Sequence, residues 1–108
     1  MTKTEKLALL NKWNKKTLME TLGIVFTEIG DDFLVGTMPV SSRVHQPLGM
    51  LHGGASIAFA ESLGSCLSNI LVAEDGKAAV GTSINSNHLK SKTEGVVTGT
   101  AKIIRKGQ

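Results

Sequence analysis

The segment that most restricts the fold is a long, almost uncharged stretch in the middle of the chain. Residues 33–73 carry only two formally charged side chains, Arg43 and Glu61. Within this stretch, residues 53–73 have apolar or small side chains on nearly every side of a helical projection. A helix of this kind is usually buried on all sides. The stretch therefore predicts a long central helix over about residues 53–73, which other elements must surround.

Strand-like segments flank this helix on both sides in the sequence. They are rich in β-branched and apolar side chains, and they span residues 24–29, 33–40, 78–89 and 96–104. Residues 30–32, Gly-Asp-Asp, are typical of a hairpin turn, and residues 41–51 are predicted as a loop. Strands and helices do not alternate one for one. The pattern therefore favours the α+β class, with an antiparallel sheet around the central helix, over a doubly wound parallel sheet.

The N-terminal segment, residues 1–22, predicts a helix that precedes the core. An amphipathic pattern runs over residues 4–22, and Gly23 supplies a C-terminal stop. The face expected to be apolar carries Leu7, Leu10, Trp13, Leu18 and Leu22. A length of 108 residues suits one domain, so we expect residues 1–108 to form a single domain.

Composition and charge exclude several classes of function. The net charge is +3, and basic residues are concentrated at both ends of the chain. This suits a nucleic-acid or phosphorylated ligand or, as the simpler alternative, solvated surface lysines. With aromatic residues at 4% and no nucleic-acid motif, we expect no nucleic-acid partner. No apolar run reaches the roughly 18 residues that span a membrane, and the polar N-terminus is unlike a signal peptide. These features favour a cytoplasmic protein without a membrane partner.

Metal and disulfide chemistry are not expected either. Cys66 is the only cysteine, which excludes an internal disulfide and a multi-thiolate metal site. His45, His52 and His88 form no i, i+4 pair and no cluster of metal-ligand spacing. We therefore predict no metal and no cofactor.

Glu61 is the first candidate for chemistry, because it is the only acidic residue of the long apolar helix. A buried, unpaired carboxylate is costly, so a carboxylate in such a place is a candidate nucleophile or general base. The alternative is that Glu61 lies on a solvated stripe with Ser65, Ser68 and Asn69, which recur at helical spacing. The sequence leaves both interpretations open.

The second candidate is the helix start, where Gly53 and Gly54 follow His52. Glycines let another group approach the free N–H donors of the first turn, where the helix dipole favours negative charge. The alternative is that the glycines relieve crowding between helix and sheet. Eight residues separate Gly53 from Glu61, about 12 Å along a helix, which is too far for both to touch one carbonyl group. If they cooperate, they must come from two different subunits.

Two blocks of residues resemble a known family. They are QPLGMLHGGAS at residues 46–56 and AESLGS at residues 60–65. Their order and spacing are similar to those of the hotdog-fold acyl-CoA thioesterases, in the branch of the phenylacetate-pathway and Arthrobacter-type 4-hydroxybenzoyl-CoA enzymes. Residues 30–32, 38–40 and 85–89 also resemble the dihydroxynaphthoyl-CoA members. The resemblance covers roughly residues 20–106.

The resemblance implies a role for each matching residue. Glu61 would be the catalytic carboxylate, which attacks the thioester or activates a water, and Ser65 would hold that water or the carboxylate. The backbone N–H of Gly53 would bind the carbonyl oxygen, Gln46 would orient that carbonyl, and His52 would support the thiolate. Binding of the substrate or of CoA is implied for Met50, Gly54, His88 and Lys90. Phe59 and Leu63 are further candidates for lining the acyl site.

The resemblance also implies a fold, an assembly and a reaction. The expected enzyme is a hotdog-fold acyl-CoA thioesterase that acts on an aryl-CoA or medium-chain acyl-CoA as a dimer or a tetramer of two dimers, with sites shared between subunits. The alternative is a hotdog protein that binds an acyl-CoA or acyl carrier protein without hydrolysis. Members of this branch continue with further strands beyond the segment that matches residues 101–108. We therefore expect a C-terminally truncated hotdog domain, with an unpaired edge on the strand at residues 96–104.

Overall fold

The architecture was analysed in a computed structural model, which describes residues 1–75, 78–85, 89–90 and 94–106, with side chains described for residues 1–70 and 94–103. The helices are α1 (Lys3–Trp13), α2 (Leu18–Leu22) and α3 (Gly53–Asp75), and a 3₁₀ turn covers Ser42–Val44. The strands are β1 (Val25–Ile29), β2 (Phe33–Val40), β3 (Ala78–Asn85), β4 (Leu89–Lys90) and β5 (Glu94–Lys106). This arrangement confirms the α+β class, the central helix and the antiparallel sheet.

The first hairpin is formed as the sequence predicts. β1 and β2 pair antiparallel from Val25↔Thr37 to Ile29↔Leu34, with an irregularity in register between Phe26 and Glu28. The Gly30 N–H donates to the Phe33 carbonyl and closes the turn. β2 alternates between buried and less buried residues along its length, so that Leu34 and Met38 point into the core. This period-two pattern is the usual signal of a strand with one buried face.

β5 lies inside the sheet, and the expected unpaired edge on this strand is wrong. The sheet order is β1-β2-β5-β3, with β4 also paired to β5. One side of β5 pairs with β2, from Phe33↔Lys102 to Val40↔Gly95, and the other side pairs with β3, from Ala78↔Lys106 to Asn85↔Thr98. The sequence does not predict this arrangement, because the pattern of a single strand does not contain the order of strands in the sheet.

The core lies between α3 and the sheet. α3 packs against β2, β3 and β5. Its buried face carries side chains at helical spacing, namely Phe59, Ser62, Leu63, Cys66, Leu67 and Ile70. Gly36 of β2 permits a close approach of α3 to the sheet, since a Cβ atom there would lie 3.1 Å from Leu63 Cδ2. Each fully buried Phe or Leu side chain stabilises the fold by about 1.5–3 kcal/mol.

The opposite face of α3 is open, so the helix is not surrounded on every side in the single chain. Gly53, Ile57, Glu61, Ser65 and Asn69 are all exposed, and they follow one another at intervals of four residues. We call these five residues the exposed stripe. The prediction of burial on all sides is wrong here because the sheet covers only one side of the helix.

The N-terminal segment forms two helices, so the single helix predicted over residues 4–22 is wrong. α1 ends at its C-cap Asn14, and α2 begins after its N-cap Thr17, whose hydroxyl accepts from the Met19 N–H. Lys16 between them has a φ of 63°. The break turns two residues of the expected apolar face outward, since Trp13 is 47% and Leu18 60% exposed. Gly23 does end α2, with a φ of 75°.

α1 covers the outer edge of β1 through an asparagine side chain. The Phe26 N–H donates to Asn11 Oδ1 over 2.8 Å, and Asn11 Nδ2 donates to the Phe26 carbonyl over 2.9 Å. Asn14 Nδ2 donates to the Ile24 carbonyl, and the Ile24 N–H donates to the Met19 carbonyl. The Asn11 amide therefore makes the pair of bonds that a neighbouring strand would make. Exposed strand edges promote self-association, and this arrangement blocks one.

Candidate functional site

The loop before α3 is held by its own backbone hydrogen bonds. His45 and Leu51 form an isolated antiparallel bridge, and the Gln46 N–H donates to the Met50 carbonyl over 2.7 Å. The His52 N–H donates to the Val44 carbonyl over 2.7 Å, which ties the start of α3 to the 3₁₀ turn. These bonds place Gln46, Met50 and His52 at fixed positions beside the N-terminus of α3.

The side chain of Gln46 is oriented by this loop. Its Oε1 accepts from the Leu48 N–H. Because a backbone N–H can only donate, the oxygen of the amide must face Leu48, and the Nε2 amino group is left as the end that can donate to another molecule. Gln46 can therefore serve a substrate as a hydrogen-bond donor.

His52 is held in one tautomer by the helix it precedes. The Gly54 N–H donates to His52 Nδ1 over 2.8 Å. A neutral imidazole carries its proton on only one nitrogen, so this bond places the proton on Nε2. His52 is exposed and can donate from Nε2 to a group outside the chain. The same bond occupies the Gly54 N–H, so this N–H is not available to a ligand. Gly54 could contribute to ligand binding only by leaving space, since it has no side chain.

The two glycines at the helix start have different surroundings. A Cβ atom on Gly54 would lie 2.9 Å from the His52 ring, whereas nothing lies within 4 Å of a Cβ position on Gly53. Crowding against His52, and not against the sheet, therefore explains Gly54, and no crowding within the chain explains Gly53. The next donors of the turn are used, since the Ala55 and Ser56 N–H groups both donate to the His52 carbonyl. Within the described residues, the Gly53 N–H is the donor of this first turn without an acceptor.

Glu61 lies on the exposed stripe, two turns beyond Gly53. The Ser65 hydroxyl donates to Glu61 Oε1 over 3.5 Å, a long bond that is consistent with the predicted proximity of the two side chains. Glu61 is exposed, so in the single chain it is not a buried carboxylate. Its position agrees with the alternative interpretation, in which Glu61 lies on a solvated stripe of the helix. Because α3 is one continuous helix, the separation from Gly53 along its axis remains about 12 Å.

Large apolar side chains are exposed beside these polar groups. Ile57, midway between Gly53 and Glu61 on the exposed stripe, is 71% exposed. Leu48 and Met50 of the preceding loop are exposed as well. Ile57 is therefore the large apolar side chain of the exposed stripe, and a partner that covered this stripe would bury it.

A pocket of about 290 Å³ opens on the other side of the helix start. Its apolar walls are Leu18 and Leu22 of α2 together with Val44, Ala55 and Ala58. Arg43, His45, His52 and Gly54 complete the lining. Phe59 and Leu63 are not part of it, because both are fully buried in the core. Leu18, Leu22 and Ala58 were not predicted as pocket residues, because the pocket forms where α2 meets α3 and the separate helix α2 was not predicted.

Other predicted ligand residues are placed less completely. His88 lies outside the described residues. Lys90 is the second residue of the two-residue strand β4. Over the ranges that the structure describes, no three His, Cys, Asp or Glu side chains lie close enough to hold a metal ion. No helix in those ranges is both long and apolar enough to cross a membrane.

Comparison with known proteins gives consistent matches over most of the chain. The sequence model of the Thioesterase superfamily matches residues 48–108. The chain is 46% identical over 99 residues to the proofreading thioesterase EntH of Cronobacter sakazakii, covering 92% of this chain and 72% of that relative. It is 52% identical over 95 residues to a Vibrio cholerae protein named as an esterase, covering 88% of this chain but only 63% of that relative.

A solved structure agrees with these sequence matches. A thioesterase from Pseudomonas aeruginosa, crystallised as a mutant, superposes with a TM-score of 0.72 at 40% identity. The match covers 94% of this chain and 73% of the other. The fold of this chain is therefore similar to that of the Pseudomonas aeruginosa thioesterase.

Proposed function

This chain belongs to the Thioesterase superfamily and has its hotdog fold, and we propose that it hydrolyses an acyl-CoA thioester to the free acid and CoA. The observation that carries the proposal is the shared position of Gly53 and Glu61 on the exposed stripe of α3. One offers a backbone N–H without an acceptor, and the other offers a carboxylate. These are the two groups that hydrolysis of a thioester requires, a donor for the developing oxyanion and a base or nucleophile.

The reaction divides among the described residues as follows. The thioester carbonyl oxygen accepts from the Gly53 N–H at the positive end of α3, and we assign Gln46 Nε2 as a second donor to the same oxygen. In one route Glu61 takes a proton from a water that attacks the carbonyl carbon, the C–S bond breaks, and that proton passes to the departing sulfur. In the other route Glu61 itself attacks the carbonyl carbon, the thiolate leaves, and a water then hydrolyses the resulting acyl–Glu61 anhydride and supplies the proton for the thiol. We assign to His52 Nε2 a hydrogen bond to the leaving thiolate. The net reaction consumes one water and releases a carboxylic acid and a thiol.

The two groups cannot act on one carbonyl within a single chain, since about 12 Å separates them along α3. A two-fold axis beside Ile57 solves this problem. In an antiparallel pair of α3 helices related by that axis, Ile57 faces Ile57 of the partner subunit, and Gly53 faces Glu61 of the partner subunit. We therefore propose a homodimer with two shared sites, in which Ile57 is buried at the centre. Two such dimers would give the tetramer implied by the resemblance.

The catalytic role of Glu61 is tested by Glu61→Gln, which keeps the size of the side chain and removes its charge. We expect kcat to fall at least 100-fold in release of CoA from a panel of aryl-CoA and acyl-CoA thioesters, because a general base or nucleophile contributes that much or more. Glu28→Gln is the matched control, since Glu28 is also exposed but lies on β1. Full activity of a folded Glu61→Gln protein would refute the mechanism. Binding of acyl-CoA by the unmodified protein without any turnover would instead favour the non-hydrolytic alternative.

A further inference from the structure

We propose that Gly49 is a positioning residue for the hydrolysis, because its positive φ closes a short loop that holds the Gln46 amide as a donor. We call residues 46–50 the hairpin loop. The inference rests on the proposed function, in which Gln46 Nε2 donates to the thioester carbonyl. Gly49 touches no reacting atom in that reaction. It acts through the conformation that it gives to the hairpin loop between the bridged residues His45 and Leu51.

Two backbone hydrogen bonds close the hairpin loop. The Gln46 N–H donates to the Met50 carbonyl over 2.7 Å, and the Gly49 N–H donates to the Gln46 carbonyl over 2.9 Å. Leu48, the third residue of this turn, has a negative φ, whereas Gly49 has a φ of 82°. A type I turn followed by one left-handed residue is a common way to build a three-residue hairpin connection. The shape of the hairpin loop therefore requires a positive φ at position 49.

The turn brings the Leu48 N–H to the side chain of Gln46, whose Oε1 accepts from it. In a type I turn the backbone bond runs from the N–H of the fourth residue to the carbonyl of the first, so the N–H of the third residue is free for another acceptor. Asn and Asp side chains at the first position of a turn often accept such an N–H. The orientation of the Gln46 amide is thus a consequence of the turn, and an opened turn would release it.

Space does not explain the glycine at position 49. Nothing lies within 4 Å of a Cβ position on Gly49, so a side chain there has room to begin. The neighbouring side chains of Pro47 and Leu48 are exposed, so side-chain packing contributes little to the shape of the hairpin loop. Glycine supplies the positive φ, which costs most other residues about 5- to 30-fold in the population of such a conformation. Asparagine tolerates a positive φ better than alanine or valine does.

The first test is a series of substitutions at Gly49 that separates backbone conformation from space. We expect kcat to decrease in the order Gly, Asn, Ala, Val, with Gly49→Asn within about threefold of the unmodified protein and Gly49→Val at least about fivefold below it. KM should change little, because a donor to the oxyanion acts in the transition state. Asparagine is larger than alanine, so a requirement for space would reverse their order. Gly49→Ala with a kcat equal to or above that of Gly49→Asn would overturn the proposal.

The second test asks whether Gly49 acts through Gln46. Gln46→Ala removes the donor and should lower kcat about 100-fold or more. Addition of Gly49→Val to Gln46→Ala should then cause less than about a twofold further loss, because no amide is left to position. An equal loss from Gly49→Val in both backgrounds would overturn the proposal. Full activity of Gln46→Ala beside an inactive Glu61→Gln would also overturn it, while the role of the carboxylate would stand.

The third test does not require turnover. NMR relaxation of the Gln46 side-chain amide is measured in the unmodified protein, in Gly49→Asn and in Gly49→Val. We expect an ordered amide in the first two and an order parameter below about 0.6 in Gly49→Val. An amide that stays ordered in a folded Gly49→Val protein would overturn the proposal. Loss of order in a protein that hydrolyses no thioester would support the effect of Gly49 on Gln46 while refuting the proposed reaction.

Discussion

Replacement of Asn11 by alanine tests how α1 protects the sheet. Asn11 accepts from the N–H and donates to the carbonyl of Phe26, and both bonds are partly buried. Alanine removes both, and it leaves Phe26 with two edge groups that no residue of α1 can reach. The rest of α1 is unchanged, because its capping box between Thr2 and Glu5 lies two turns away.

The expected loss of stability follows from these two bonds. At about 1 kcal/mol for each, their removal costs about 2 kcal/mol. Alanine has a higher helix propensity than asparagine, which returns about 0.5 kcal/mol. The net loss is therefore about 1.5 kcal/mol, a large share of the roughly 5–15 kcal/mol that stabilises a typical domain.

Urea denaturation at a fixed protein concentration measures this loss. We expect the midpoint of Asn11→Ala to fall by about 1 M at an unchanged m-value of about 1.5 kcal/mol/M. The control is Lys12→Ala, whose exposed side chain should change stability by less than about 0.5 kcal/mol. Light scattering should also show concentration-dependent self-association of Asn11→Ala, because the β1 edge becomes available. A midpoint within error of the unmodified protein would refute the role given to Asn11.

Two further predictions concern the exposed stripe and the core cysteine. Ile57→Cys should form an intersubunit disulfide under mild oxidation, seen as a dimer band on non-reducing gels. The control Ala8→Cys, at an exposed position of α1, should not. Failure of Ile57→Cys to cross-link would contradict the two-fold axis placed beside Ile57. Burial raises the pKa of the Cys66 thiol, so the folded protein should react with iodoacetamide slowly at neutral pH and faster after unfolding in urea. A reaction as fast as that of a free thiol would contradict the burial. Because the raised pKa means that the folded state holds the thiol proton more tightly than the unfolded state, this group stabilises the fold fully below the ordinary thiol pKa, and that contribution declines as the pH rises above it.

Much of the fold follows from local pattern. β2 spans the predicted residues 33–40, and α3 begins at the predicted Gly53, because alternation and helical periodicity are properties of the segment itself. The approximate distance between Gly53 and Glu61 was equally accessible, since it depends only on the rise per residue. The glycine at the end of α2 was also predictable, because a left-handed cap favours it.

The remaining features depend on contacts between distant segments. Thr17 caps α2 after a break that interrupts a periodic pattern favouring one long helix. Asn11 bonds to Phe26, a contact between residues 15 positions apart that helical periodicity does not contain. The place of β5 between β2 and β3 is a matter of sheet order, which strand patterns do not contain. The pocket at Leu18 and Ala58 depends on how α2 docks on α3, so sequence spacing could not indicate it.

The central claim, that one site combines Gly53 of one chain with Glu61 of another, is tested most directly by mixing two inactive variants. Glu61→Gln removes the carboxylate. Gly53→Pro removes the N–H at the first position of α3, where proline is well tolerated in helices. Gly53→Ala keeps the N–H and adds only a Cβ atom, so its activity beside that of Gly53→Pro separates loss of the donor from loss of the glycine.

Equal amounts of the two inactive variants are mixed under conditions where subunit exchange is verified by native mass spectrometry, and hydrolysis of an acyl-CoA substrate is then measured. Half of the dimers should be mixed, and each mixed dimer has one site with both groups intact, so about one quarter of the unmodified activity should return. Activity that stays at the level of the separate variants, despite proven exchange, would contradict the shared site.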